Sequence, residues 1–323
     1  MKLKPDPTSG NGMTQTAIRC RSILSEVNLG DASHGSRPGV DPRMVRDQVQ
    51  QRLAELLPAG PEGDRVCTAM REFMLTAGKR MRPVLMVMAA RGMGHADDAI
   101  IDVGCAVEMV HGASLILDDL PSMDNAELRR GQPTVHRQHG EDVAILASVA
   151  LLSRAFQVLA ELEGVPAPLR SELLATLAAA VGSQGLVCGQ FNDLHGSEGA
   201  RDVQAVQRTN ELKTGALFSA ALEMAAMTAG AGARARALAR ECAVQLGQAF
   251  QLQDDLRDGD DSALSGKDGG KDAGKCTLIT LLGREEVQRR LQAHLQRAFA
   301  LLAELDGQHD DLIAFAHQHF RIT

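Results

Sequence analysis

The chain has 323 residues, 44% of them hydrophobic, with 41 acidic against 34 basic side chains and a formal net charge of −7. That length holds one large core or two ordinary domains, and the acidic balance argues against a general nucleic-acid binder, which is usually basic. Aromatics are scarce, with 8 Phe and neither Trp nor Tyr, so the core has to be built from Leu, Ala, Val and Met. Ala and Leu are strong helix formers, whereas sheets draw on aromatic and β-branched residues. The fold class expected is all-α.

Residues 1–40 carry Pro, Gly, Ser and Asn with little periodicity, as in GDASHGSRPG. They read as a flexible extension without catalytic content, and nothing in them resembles a signal peptide. From Asp41 onward the pattern is helical. Val45, Val49, Leu53 and Leu56 or Leu57 make the stripe of a first amphipathic helix. Later helices are expected over about 82–91, 97–120, 141–162, 169–193, 203–228, 234–258 and 285–305. Breakers separate them: GMGH, RRGQP, EGVPAP, HGSEG, TAGAGA and GDDSALSGKDGGKDAGK. With no strand-like alternation and no solenoid repeat, residues 41–323 are expected to form one helical domain. The longest apolar stretch, Val143 to Leu152, is well short of the ~20 residues that span a bilayer, so no membrane span is expected. Six scattered cysteines (Cys20, Cys67, Cys105, Cys188, Cys242, Cys276) without a CxxC pair fit reduced thiols in a cytoplasmic protein.

The densest chemistry lies in the run from Glu108 to Asp124, EMVHGASLILDDLPSMD. At about 100° per residue, Glu108, His111, Leu115, Asp118 and Asp119 share one broad stripe of an otherwise apolar helix. Buried carboxylates without compensation cost several kcal/mol or become protonated. A cation removes that cost, and oxygen-only ligands favour a hard ion such as Mg2+. Taken alone, DDxxxxD is as readily a solvated helix end, since Pro121 closes the helix nearby. Arg129 and Arg130 follow in RRGQPT, and paired guanidinium groups suit a diphosphate whose other oxygens lie on metal.

A second acidic cluster, Gln251, Asp254, Asp255 and Asp258, has i, i+3, i+4, i+7 spacing and so shares a helix face. Two such clusters on separate helices point to facing walls of a metal–diphosphate cavity. The following GKDGGKDAGK, Gly266 to Lys275, joins glycines that permit close backbone approach with lysines that meet phosphate oxygens. Gly269 to Lys275 also fits GxxxxGK of a nucleotide-binding P-loop, but Cys276 stands where Ser or Thr is needed and no apolar strand precedes it. Upstream, Gly78-Lys79-Arg80-Met81-Arg82-Pro83 sets cations at a helix start where Pro fits and backbone N–H groups can face an anion. Alone it reads as an ordinary solvated helix start.

Taken in order, GKRMRP, EMVHGASLILDDLPSMD, RRGQPTVH, GQFNDL with KTGALF, and FQLQDDLRD with GKDGGKDAGK resemble the trans-prenyl diphosphate synthases. The likeness is greatest to the bacterial and plant-type geranylgeranyl diphosphate synthases and runs from about Asp41 to the C-terminus. It implies a single-domain isoprenoid-synthase helical bundle with a central deep cavity, a homodimer, and condensation of isopentenyl diphosphate with an allylic diphosphate. It further implies that Lys79, Arg82, His111 and Arg130 bind the diphosphate of isopentenyl diphosphate. Asp118, Asp119, Asp124 and Asp254 would hold Mg2+, three ions per active site. Arg129, Lys213, Thr214, Gln251, Lys267 and Lys275 would contact the allylic diphosphate, with Gln190 and Asp193 supporting the cavity wall. Ala113 and Ser114, one turn before the aspartates, would leave the product tunnel open for twenty carbons; relatives with an aromatic at the position of Ala113 stop at fifteen.

Alternatives within reach of the same residues are a farnesyl diphosphate synthase and a non-catalytic regulatory subunit, which characteristically loses an aspartate motif. A terpene cyclase would carry an Asn/Ser/Glu-type second metal motif and often an aromatic cavity. A helical interaction protein with solvated acidic faces would show no Mg2+-dependent binding of diphosphates.

Overall fold

Helix α1, Pro42–Leu56, begins where the Asp41 carboxylate accepts the Arg43 backbone N–H at 2.9 Å and Pro42 fills the first turn, a pairing that satisfies one of the orphan amides of a helix start. It buries Val45, Val49, Leu53 and Leu56, the stripe expected from the sequence. Helix α2, Arg65–Leu75, is capped in the same way: Asp64 accepts from Val66 N at 3.0 Å and Cys67 N at 2.9 Å. The computed structural model describes residues 39–95, 97–196, 202–258 and 278–320. The chain divides into a unit ending at Gly39 and one running from Val40 to Thr323, and the described helices and strands all lie in the second.

Helices α3, Met81–Gly92, and α4, Ala99–Asp118, form the centre. Every residue of α3 from Met81 to Ala90 is buried, as expected of a helix that is apolar nearly all round, and Arg82, the one charged side chain in that run, is buried with the rest. Helix α4 packs against α1, α3, α6 (Glu141–Ala160) and α10 (Ala216–Thr228). Between them run a small antiparallel hairpin and a short helix, α5, Val135–His139. The hairpin pairs β1, Leu128–Arg129, with β2, Gln132–Pro133. Its two-residue turn has positive φ at both Arg130 (54°) and Gly131 (74°), the twist that suits a tight hairpin.

The chain continues through α7, Ala167–Val181, α8, Leu186–His195, and α9, Val203–Asn210. It then passes a π-helical turn, Glu211–Gly215, into α10. Helix α11, Ala233–Asp258, packs on α10 and on α13, Arg284–Glu304; α12, Leu278–Leu282, and α14, Asp310–His319, complete the described elements.

Three expectations change. The helix expected over 169–193 is two helices joined by a turn over 182–185, where Gly185 passes so close to the Ala180 carbonyl of the preceding helix that a Cβ would overlap it. The stretch 203–228 is interrupted by the π turn. The short helices α2, α5, α12 and α14 and the hairpin have no counterpart among the expected elements.

By length and composition, Ala99–Asp118, Glu141–Ala160 and the stretch Ala167–His195, which holds both α7 and α8, are each long and apolar enough to cross a membrane, which the length of the longest apolar run missed. In α4 the apolarity is accounted for by the core, since 72% of its apolar window is buried inside the fold.

Candidate active site

Helix α4 ends on Asp118, and the following loop folds back on that end. Asp124 N donates to the Asp118 carbonyl at 2.9 Å and Ala126 N to the Asp119 carbonyl at 3.1 Å, which keeps three carboxylates in one corner. Burial drives the Asp118 carboxyl up to about 6; Lys213 and Arg129 oppose the shift, while Asp124 and Asp119 add to it. Asp119 is 1% exposed. Burial raises it too, against the Arg129 guanidinium, whose Nε donates to Oδ1 at 3.0 Å and whose Nη2 makes a second bond. The hairpin turn is what brings Arg129 to this carboxylate.

The opposite wall is built on the π turn. Lys213 Nζ donates to Asp193 Oδ2 of α8 at 2.7 Å, and its charge is felt at Asp118. Thr214 Oγ1 donates to Gln251 Oε1 at 3.2 Å, and Gln251 Nε2 donates to Asp255 Oδ1 at 3.0 Å. Two glycines allow this packing. A Cβ on Gly189 would overlap the backbone N of Lys213, and one on Gly247 would lie 3.3 Å from Gly215 Cα. Such single π turns recur at functional sites because they re-aim a side chain within a continuing helix. Asp254 is half-buried and interacts electrostatically with Arg82. The Asp258 side chain, Lys267 and Lys275 lie outside the described residues.

Beside these walls stands a cluster of cations. Arg82 is 7% exposed, with its guanidinium 4.5 Å over the Phe218 ring and its Nε without a hydrogen-bond partner. Burial lowers its pKa to about 10, with Glu108 and Asp254 opposing. Burial also pushes His111 well below the usual imidazole range, helped by Arg82, Arg130, Arg129 and Arg80, so the ring is neutral at pH 7. Arg130 lies 5.7 Å over the Phe73 ring. Lys79 is near enough to lower the pKa of His319 at the end of α14. Buried guanidinium groups with donors to spare are suited to a multiply charged oxyanion.

The corner also suits Mg2+. Among the described residues no three His, Cys, Asp or Glu side chains form a ready-made cage, but Mg2+ commonly takes one or two carboxylates together with waters and substrate phosphates. Asp118, Asp119 and Asp124 supply hard oxygen donors whose mutual repulsion a divalent ion would relieve.

The structure thus gathers Asp118, Asp119, Asp124, Arg129 and Lys213 into one electrostatic unit, and Arg82, His111 and Arg130 into a second. Arg82 links the second unit to Asp254. A cavity of about 440 Å³, lined by residues including Phe73, Thr76, Arg129, Arg130, Gln132 and His139, has neither Asp118 nor Asp254 in its wall. Ala113 has no exposed surface; Ser114 is half-buried, with its Oγ donating to the His111 carbonyl at 2.9 Å. Sequence reasoning missed Arg80, although it sits inside GKRMRP, and His319, for which no local signal exists.

A family profile described as Polyprenyl synthetase matches residues 64–309. A geranylgeranyl diphosphate synthase of Pantoea ananas is 50% identical over 252 residues, covering 77% of this chain and 83% of its own length. The apo crystal structure of an FPP/GFPP synthase from Zymomonas mobilis aligns with a TM-score of 0.78 at 35% identity, over 87% of this chain and 97% of that one. A geranyltransferase from Helicobacter pylori, complexed with magnesium and isoprenyl diphosphate, aligns with a TM-score of 0.77 at 26% identity, over 89% and 98%. The profile spans both aspartate motifs and both cation clusters, and on that extent of agreement the chain belongs to the polyprenyl synthetase family.

Proposed function

We propose that the chain is a Mg2+-dependent trans-prenyltransferase of isoprenoid biosynthesis. It condenses isopentenyl diphosphate with dimethylallyl, geranyl or farnesyl diphosphate and ends at geranylgeranyl diphosphate. The observation that carries this reading is the charge linkage across the site. Asp118 on α4 senses Lys213 of the π turn, and Arg82 senses both Glu108 on α4 and Asp254 on α11.

In this reading Asp118, Asp119, Asp124 and Asp254 would hold Mg2+, three ions per site, and bound metal would supply neutralisation of the charge on the allylic diphosphate leaving group. Arg129, Lys213, Thr214 and Gln251 meet the same diphosphate, joined by Lys267 and Lys275. Lys79, Arg82, Arg130 and His111 seat the diphosphate of isopentenyl diphosphate. As the allylic C–O bond breaks, fixed cations already face the oxygens on which charge develops, where they act most strongly. The double bond of isopentenyl diphosphate then attacks the allylic carbon, and a proton passes to the departing diphosphate. His111, neutral at pH 7, serves as a hydrogen-bonding group, and no dedicated base is needed.

The catalytic domain spans residues 41–323, with residues 1–40 as an extension to it. The protein is a cytoplasmic homodimer without a membrane span. The apolar side chains that α6 and α8 leave exposed support pairing of two chains: Ile145, Leu146 and Val149, and Val187 and Phe191. Exposed apolar side chains grouped in this way are the kind of surface that an interface between chains covers.

The test is incubation of the purified chain with Mg2+, labelled isopentenyl diphosphate and each allylic starter, followed by product-length analysis. A twenty-carbon product is expected. A fifteen-carbon product would make it a farnesyl diphosphate synthase, and no product at all would favour a regulatory subunit of the same fold.

A further inference from the structure

Arg80 lies between two proposed substrate-binding residues, Lys79 and Arg82, yet its donors all turn inward. Its Nε and Nη2 donate to Gln50 Oε1 at 3.0 and 2.9 Å, its Nη1 to Glu108 Oε1 at 3.0 Å, and its Nη2 also to the carbonyls of Thr76 at 2.9 Å and Met74. Gln50 is itself fixed, because its Nε2 donates to the Leu75 carbonyl at 2.9 Å. Arg80 and Glu108 are 2% and 3% exposed. The Arg80 backbone has φ 46°, a left-handed conformation that side chains other than glycine adopt only when held there. One side chain therefore ties the end of α2, the start of α3, and both α1 and α4.

Glu108 has other suitors. Its charge also acts on Arg82 and on Arg130. A buried carboxylate that loses its partner draws in the nearest cation or takes up a proton. Arg82 and Arg130 are the cations available here.

We infer that Arg80 is a positioning residue for the isopentenyl diphosphate site: by holding Glu108 and the left-handed turn, it leaves Arg82 and Arg130 to the diphosphate. This inference rests on the proposed assignment of that site to Lys79, Arg82, His111 and Arg130. Arg80 touches no substrate; its effect passes through its neighbours.

The experiment is steady-state kinetics with both substrates varied. Arg80→Met should raise KM for isopentenyl diphosphate by about tenfold or more, the usual range for a lost charge-assisted bond, with KM for the allylic substrate little changed. The double variant Arg80→Met/Glu108→Gln should recover much of that loss, because the competing carboxylate is gone. A double variant no better than the single one overturns the inference and leaves Arg80 as plain scaffold. Arg130→Gln examines the site assignment separately. If it leaves KM for isopentenyl diphosphate unchanged, the assignment falls and the inference with it; if it raises KM while Arg80→Met does not, the inference alone falls. Should Arg80→Met fail to fold, Glu108→Gln reads the same competition from the other side. An unchanged or lower KM for isopentenyl diphosphate supports the inference, and a rise overturns it.

Discussion

Lys213 Nζ and Asp193 Oδ2 meet at 2.7 Å, and the contact exists because Gly189 lets α8 lie directly against the backbone of the π turn. With Ala at position 189, the added Cβ would overlap Lys213 N, so the turn has to shift. Overpacking of this kind costs about 1–3 kcal/mol. A misplacement of about 1 Å in a group that orients substrate costs on the order of a hundredfold in rate. Gly189→Ala should therefore lower the melting temperature and cut kcat/KM for the allylic substrate by about that factor. Thermal melts beside steady-state kinetics measure both, and a fully active, stable variant would remove Lys213 from the proposed role.

Asp118 tests the metal assignment. Its carboxyl is pushed up to about 6 by burial, with Asp124 and Asp119 adding to the shift, so it is poorly provided for without a cation. Asp118→Asn should reduce kcat by at least about 10²–10³-fold, the scale of losing one preorganised stabiliser. It should also abolish the thermal stabilisation that Mg2+ with inorganic diphosphate gives the unaltered chain, about 2.7 kcal/mol at a hundredfold excess over Kd. Chelating the metal should strip the same stabilisation from the unaltered chain and leave it melting at or below the variant, which lacks the buried charge. A variant that still gains stability from Mg2+ and diphosphate together would place the metal elsewhere.

The parts of this molecule that could be read from sequence are those whose signal is local. Apolar periodicity located α1, α6 and α11 to within a few residues, and carboxylates inside apolar runs exposed both aspartate motifs. Gly185 was hidden inside a helix pattern, because its significance lies in the Ala180 carbonyl it approaches. The π turn has no sequence period of its own. Lys213 with Asp193, Thr214 with Gln251 and Arg80 with Glu108 are pairs brought together by tertiary packing, 20, 37 and 28 positions apart. No window of sequence contains either the geometry or the competition for Glu108 that it creates.

Chain length can be probed at two adjacent positions with different surroundings. Ser114 is half-buried, whereas Ala113 has no exposed surface. Ser114→Phe should fit with little loss of stability and shift the main product from twenty carbons to fifteen. Ala113→Phe must also displace core neighbours, at a cost of about 1–3 kcal/mol, so it should shorten the product and lower the melting temperature together. Product profiles with dimethylallyl or geranyl diphosphate as starter measure this. If Ala113→Phe melts earlier yet still yields twenty carbons, Ala113 is a packing residue and the tunnel runs elsewhere.

The end of α14 predicts how stability depends on pH. His319 stacks 6.2 Å from Phe250 and 6.3 Å from Phe315. Burial, with the charges of Lys79 and Arg257, pushes its pKa from 6.5 down to about 4. Between those values the unfolded chain takes up a proton that the folded chain refuses, so the contribution of His319 is intact above about pH 6.5 and is lost as the pH falls toward 4. On the scale of 1.36 kcal/mol per pK unit, that loss is on the order of 1–3 kcal/mol for this partly buried ring. Asp118 works in the opposite sense: its raised pKa removes stability as the pH rises toward about 6, so the comparison has to be between variants. His319→Leu keeps the apolar contacts and should lose less stability than the unaltered chain between pH 7.5 and pH 5, read from urea midpoints at the two pH values. Equal losses in the two proteins would mean that the ring accepts its proton without leaving the fold, and that the charge of Lys79 beside it is of little consequence.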